Sequence, residues 1–322
     1  LLVILASVPS FALVLFSGLE QRQTAAKQAQ GQALHLTKLA SAEHQRLIAE
    51  TRRILIAGGG IGGLTAAMAL HQEGFDVQVY ESVQELAPLG VGINLLPHAM
   101  AALGRLGLLD TVLPLGVQTA ELCFFNRHGQ LIWREPRGLA AGYPVPQLSV
   151  HRGRLHMALL AEARTRLGAD RVRTGHVLRE FDDGYDGRVH IELLDRHTDT
   201  IVRDEGDALI GADGIHSVVR AHYYPDETEP VFSGRMLWRG ITEAAPFLSG
   251  RTMIMAGHAN QKFVAYPIGA GTGGRVRINW IAERQVGRGA RDLLVGRADH
   301  GEGRARDAGD AAAEPEGVAV DL

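Results

Sequence analysis

The stretch Arg53-Ile-Leu-Ile-Ala-Gly-Gly-Gly-Ile-Gly-Gly-Leu-Thr-Ala-Ala restricts this chain to few architectures. A short continuous apolar run, Ile54 to Ala57, has the pattern of a parallel strand buried on both faces. Glycines follow at once, and Leu64 to Glu73 then reads as a helix that stops at Gly74. Asp76-Val-Gln-Val-Tyr-Glu81 alternates as a second strand does. Strand, glycine turn, helix and strand within about 30 residues make a βαβ unit.

Gly58, Gly60 and Gly63 stand in the order G-x-G-x-x-G between the strand and the helix. The first permits the tight turn, the second lets the backbone approach a diphosphate, and the third lets helix and strand pack closely. The phosphate would rest on the N–H groups that open the helix, where the helix dipole is positive. Glu81 closes the second strand 18 residues after Gly63, placed to accept hydrogen bonds from an adenosine ribose. An acid there disfavours a 2′-phosphate, so the nucleotide is expected to be FAD or NAD rather than NADP. With 39 glycines in 322 residues a bare G-x-G-x-x-G would mean little; the strand, helix and terminal acid around it give it force. A glycine-rich turn beside a merely solvated Glu81 does not explain three glycines in this register.

The formal net charge of −3 gives no reason to expect nucleic-acid binding through the overall field. The single cysteine, Cys123, leaves neither a disulfide framework nor a cysteine-based metal site, and no metal site is expected. It lies in Leu-Cys-Phe-Phe, an apolar strand-like run, and reads as core. The chain opens on Leu1 rather than methionine, which suggests a fragment of a longer protein. Residues 1–18 are uncharged and close to the ~18 apolar residues at which a membrane-spanning helix becomes the default. A buried helix or a signal remnant are the alternatives. Residues 19–51 read as a long amphipathic linker helix. Residues 287–322, almost wholly Arg, Ala, Gly, Asp, Glu and Val, have no aromatic residue and read as a disordered tail.

Two further motifs separate FAD from NAD. Ser149-Val-His-Arg-Gly-Arg-Leu runs from a strand end into a helix, and Asp207-Ala-Leu-Ile-Gly-Ala-Asp-Gly-Ile-His-Ser-Val-Val-Arg220 reads as strand, turn and helix. With the first glycine loop, Arg152 with Leu155 and Gly211 to Arg220 resemble, in order, the fingerprints of the class A FAD-dependent aromatic monooxygenases of the p-hydroxybenzoate hydroxylase fold. The resemblance covers roughly residues 52–285. Stretches such as PLGVGINLLPHA, LWRGITE and VAYPI bring it nearest to the phenazine-modifying branch.

That resemblance implies an α/β fold: a Rossmann-like FAD-binding domain over 52–228, with a substrate-side insertion around 120–148, and a β-sheet substrate domain over 229–286. The N-terminal hydrophobic and amphipathic helices would precede them. Gly58, Gly60 and Gly63 would meet the FAD diphosphate and Glu81 the adenosine ribose. Arg152 would reach the phosphate or ribitol side, as a guanidinium is suited to do. The backbone at Val177 would contact adenine, and Asp213 with Gly214 would lie near the ribityl-diphosphate region. For Asp213 the alternative is a turn aspartate bonding its own backbone.

On the substrate side, Trp238, Arg239, Tyr266 and Pro267 are the candidates. Trp238 and Tyr266 suit wall packing better than catalysis, and Arg239 could pair with a substrate carboxylate or with Glu243. No catalytic acid or base is assigned. The family's chemistry is carried by the cofactor: NAD(P)H reduces the flavin, O2 adds to it, and a flavin hydroperoxide hydroxylates a small aromatic or heteroaromatic substrate. The catalytic domain is expected in the cytoplasm, tethered to a membrane if residues 1–18 span one; the oligomeric state stays open.

The family's third fingerprint, G-D-A-A-H-P, has only an echo in Gly309-Asp-Ala-Ala-Ala-Glu-Pro, where Ala313 and Glu314 replace His and Pro. The chain is therefore expected to be incomplete at its C-terminal side, with its activity in doubt. Two other readings stay in play, an NAD-binding dehydrogenase and a non-catalytic membrane-tethered nucleotide-binding module.

Overall fold

The structure, a computed structural model, describes residues 53–228 and 230–287. The membrane helix expected over 1–18, the amphipathic helix over 19–51 and the tail beyond Gly287 lie outside the described residues. Among the described residues, no helix is long and apolar enough to cross a membrane.

The opening βαβ unit forms from β1 (Arg53–Ala57), α1 (Ile61–Gln72) and β2 (Asp76–Glu81). Leu55 and Ile56 are fully buried, and each such side chain contributes about 1.5–3 kcal/mol relative to exposure. α1 ends where the sequence runs into Gly74, whose φ of 91° is open to glycine and strained for other residues. The chain continues through β3 (Gly92–Leu95), α2 (Pro97–Arg105), α3 (Leu109–Val112), β4 (Gly116–Thr119), β5 (Glu121–Phe125), β6 (Leu131–Pro136) and β7 (Gln147–His151). α4 (Arg152–Leu167) then leads to β8 (Val172–Thr174), β9 (His176–Asp183), β10 (Val189–Asp195), β11 (Thr200–Gly206), β12 (Ala208–Gly211) and α5 (Val218–Tyr223). The last strands are β13 (Arg235–Ala244), β14 (Thr252–His258), β15 (Gln261–Ala270) and β16 (Val276–Gln285).

These strands make four sheets. The nucleotide-binding half centres on the order β12-β1-β2-β8, in which β12 lies parallel to β1 and β8 parallel to β2. Its main core joins Ile54, Ile56, Leu64, Met68 and Val79 to Leu155 and Leu159 of α4. β9, β10 and β11 form a separate antiparallel sheet, and β3-β7-β4 a third.

The six-stranded sheet has the order β13-β16-β15-β14-β5-β6. β5 and β6 come from the middle of the chain, yet β5 lies parallel to β14 and extends the sheet built by the last four strands. Cys123 of β5 is fully buried, as its apolar neighbours suggest.

Candidate functional site

Gly58 takes φ 110°, and its amide donates to Tyr80 O at 2.7 Å. A Cβ at Gly58 would lie 2.2 Å from Ala212 O, so the first motif's opening glycine rests against the backbone of the second motif. The Ala212 amide returns a 2.7 Å bond to Ala57 O. At Gly63 a Cβ would fall 1.9 Å from Gly58 O, which makes this glycine a condition of helix–strand packing. Gly60 has open space where a side chain would stand.

Between the two motifs lies a crevice of about 470 Å³. Gly58, Gly60, Glu81, Val177, Asp213 and Gly214 all line it, so strands far apart in sequence bring six of the expected cofactor residues to one place. α1 opens onto it from Gly60 with no side-chain cap and no acid in its first turn. Among the described residues its first N–H groups have no side-chain cap, and an anion suits them.

Glu81 is buried at 8% exposure with its carboxylate turned into the glycine crook. One oxygen accepts from Gly59 N at 2.6 Å, the other from Val83 N at 2.8 Å and Ser82 Oγ at 3.1 Å. These donors fix the orientation of the carboxylate, which retains acceptor capacity toward the crevice. A Cβ at Gly59 would lie 2.9 Å from Glu81 Cβ. Gly59, which the three-glycine pattern leaves unassigned, therefore leaves no room for a side chain, unlike Gly60.

Asp213 has a local task. Its carboxylate accepts from Ser217 Oγ at 2.6 Å and Val218 N at 2.7 Å, tying down the start of α5, as a turn aspartate does. Only its position along the wall brings it to the crevice. Arg152 does not line the crevice. It is exposed at the first turn of α4, its amide donates to Val91 O at 2.8 Å, and its side chain runs beside Gly90. Sequence reasoning missed His156, one turn farther along α4, whose Nε2 lies 2.7 Å from Gly59 O. Its spacing of four from Arg152 was the available signal.

The six-stranded sheet divides the substrate-side candidates. Tyr266 opposes Asn279, which opposes Ile241, so these three share a face with Arg239, two residues before Ile241. That face packs on β3: a Cβ at Gly92 would fall 2.6 Å from Asn279 Cβ and 2.8 Å from Tyr266 Cε2. Trp238 is on the opposite face, beside Phe263 in a separate depression of about 540 Å³. Trp238 and Arg239 therefore do not wall one pocket; alternation along a strand parts adjacent residues. Pro267 is buried opposite Ile278, where the register of β15 slips.

Glu243 does not pair with Arg239. Its carboxylate accepts from Thr272 Oγ1 at 2.7 Å and Thr272 N at 3.2 Å, and Arg277 Nε lies 3.5 Å away. Among the described residues Arg239, half-buried, has no carboxylate within ion-pair distance. Burial pushes the Tyr266 phenol up to about 12 against the opposing pull of Arg239, so it is protonated at any ordinary pH. Asn279 is fully buried, and its Nδ2 has no partner. Among the described residues there is no cluster of side chains that could hold a metal ion.

Residues 51–292 match the family model described as the FAD binding domain. The chain belongs to this FAD-binding family. Phenazine 1,6-dicarboxylic acid hydroxylase PhzS of Lysobacter antibioticus is 48% identical over 233 residues, covering 71% of this chain and 57% of that protein. 3-Hydroxybenzoate 6-hydroxylase of Polaromonas naphthalenivorans is 34% identical over 198 residues, 60% of this chain and 47% of that one. Among solved structures, Klebsiella pneumoniae HpxO complexed with FAD and uric acid superposes with a TM-score of 0.63 at 25% identity, covering 77% of this chain and 60% of that one. The chain spans about half the length of the curated relatives it matches.

The crevice fits the cofactor that the family is named for. A positive-φ glycine, an uncapped helix start, open space at Gly60 and a buried, oriented carboxylate are what a dinucleotide's diphosphate and ribose require.

Proposed function

We propose that this chain forms the FAD-binding and substrate-sheet part of a monooxygenase that hydroxylates a small aromatic or heteroaromatic acid. The observation that carries the reading is the crevice, where the glycine loop, Glu81 and the Gly211–Gly214 turn meet. The amides at Gly60 and the start of α1 would hold the diphosphate, Glu81 the adenosine ribose, and the backbone at Val177 the adenine edge. Gly214 would leave room beside them, and the Asp213 carboxylate would hold its turn in place. Arg152 would approach the phosphate or ribitol side. When bound, FAD supplies the redox and oxygen-transfer chemistry, with NAD(P)H as reductant and O2 as oxidant.

The substrate-facing side of the sheet offers orientation rather than proton transfer. Arg239, with no protein carboxylate beside it, suits an anionic substituent, and the protonated Tyr266 hydroxyl can donate a hydrogen bond. The names of relatives and neighbours support an acidic ring compound, since they include a phenazine dicarboxylic acid, a hydroxybenzoate and uric acid. Pro267 would shape the wall behind Tyr266. Dependence on a nicotinamide nucleotide would suit a cytoplasmic catalytic part. Residues 1–18 would act as a membrane tether, supported if the full chain pellets with membranes and a chain lacking residues 1–50 does not.

The test is an absorption spectrum of the purified full chain after incubation with FAD and desalting. A bound flavin spectrum that bleaches on anaerobic addition of NADH or NADPH is the expected result. A colourless protein that takes up no FAD would overturn the reading, and binding of NAD alone would favour a dehydrogenase instead.

A further inference from the structure

Gly59 is held from both sides. Its amide donates to Glu81 Oε2 at 2.6 Å, and its carbonyl faces His156 Nε2 at 2.7 Å. A carbonyl oxygen can only accept, so Nε2 carries the proton and donates. His156 is part of α4, four residues after Arg152 and on the same side of the helix. One helix face thus carries both the family's arginine and a second polar side chain that reaches the glycine loop.

This bond has a geometric consequence. The Gly59–Gly60 peptide is planar, and in a trans peptide the C=O and the following N–H point in opposite directions. A donor that fixes Gly59 O therefore also fixes the direction of Gly60 N–H. Gly60 lines the crevice, and among the described residues its N–H has no protein acceptor. Glycines on either side leave this peptide free to rotate unless something outside the loop holds it. Glu81 holds the preceding peptide, and His156 holds this one.

We propose that His156 is a positioning residue for the cofactor: it orients the Gly59–Gly60 peptide so that Gly60 N–H is presented to the dinucleotide's diphosphate. The proposal rests on the reading of the crevice as an FAD site. His156 itself touches neither the diphosphate nor the reacting atoms. Its contribution is preorganisation, since a loop already set in its bound conformation loses less freedom on binding.

The test is a titration of the full-length apoprotein with FAD, followed by flavin fluorescence, with the bound diphosphate observed by 31P resonance. His156→Ala is expected to raise the Kd on the order of tenfold. His156→Asn, polar but too short to reach Gly59 O, is expected to match it. His156→Gln, whose Nε2 can reach and donate, is expected to restore binding to within about threefold. The 31P shifts of bound FAD should move in Asn and Ala and return in Gln; a purely structural role would not distinguish Gln from Asn in this way. If the wild type binds FAD and His156→Asn binds equally well with unchanged 31P shifts, this proposal falls alone. A wild type that binds no FAD would take down the functional reading and this proposal together.

Discussion

The Gly92 amide donates to Asn279 Oδ1 at 2.6 Å, a bond that joins β3 to the six-stranded sheet across 187 residues of sequence. The approach is possible only because Gly92 has no side chain. A Cβ there would fall within 2.6 Å of Asn279 Cβ and 2.8 Å of Tyr266 Cε2, and neither neighbour can swing clear because both are buried. Gly92→Ala should therefore destabilise the fold by about 1–3 kcal/mol, the range for overpacking a filled site. Chemical denaturation of the two proteins checks this; an unchanged midpoint and slope would contradict the packing described.

Glu81→Gln probes the carboxylate. Glu81 uses one oxygen for Gly59 N and the other for Val83 N, whereas a glutamine has a single acceptor oxygen and must surrender one of them. On the proposed reading, the ribose hydroxyls would lose an acceptor as well. Hydrogen bonds to charged groups contribute about 1.5–3 kcal/mol, so FAD affinity should drop by roughly tenfold to a hundredfold. Fluorescence titration reads this directly, and equal affinity would remove Glu81 from the site.

The opening strand, helix and second strand of the nucleotide-binding half were legible because each is specified locally, although the helix starts at Ile61, earlier than the Leu64 expected. β2 runs Asp76–Glu81 as its alternation indicates, and α1 stops before Gly74. The β-sheet that the resemblance implies over 229–286 is built there from the four strands β13 to β16. What a linear reading could not supply was the partner of each residue. Trp238 and Arg239 look equivalent in sequence, and the pleat separates them onto opposite faces. Arg239 and Glu243 look able to pair in sequence, but they lie four residues apart on one extended strand, and Thr272 and Arg277 reach Glu243 instead. Gly59 and His156 belong to different motifs, so their contact appears only once α4 packs beside the loop.

Arg239 is predicted to govern substrate affinity without affecting the cofactor. Its guanidinium faces the same side as Tyr266 and has no acidic partner among the described residues. Arg239→Met keeps much of the side chain's bulk and removes the charge. FAD affinity should stay within about twofold, whereas binding of an aromatic carboxylate to the FAD-loaded protein should weaken on the order of a hundredfold, the scale of a lost charged hydrogen-bonded pair. Perturbation of the flavin absorption by added aromatic carboxylates measures the second quantity. Loss of FAD binding instead would assign Arg239 to the cofactor.

His151 makes stability depend on pH. It precedes α4 and caps it in an unusual way, its Nδ1 accepting from Gly153 N at 3.1 Å and Arg154 N at 3.3 Å. Both bonds need an unprotonated Nδ1. Burial, and then the charges of Arg154 and Arg277, hold its pKa below the ordinary 6.5. Glu243, which faces Arg277, partly offsets that cation. The unfolded chain therefore takes up the proton first as the solution is acidified. The stability His151 contributes is complete above pH 6.5 and is lost as pH falls through the lowered folded value. Asparagine caps a helix without titrating near neutrality. His151→Asn should accordingly lose less of its thermal midpoint than the wild type between about pH 8 and pH 5. Parallel acid slopes for the two proteins would show that the imidazole is not the group responsible.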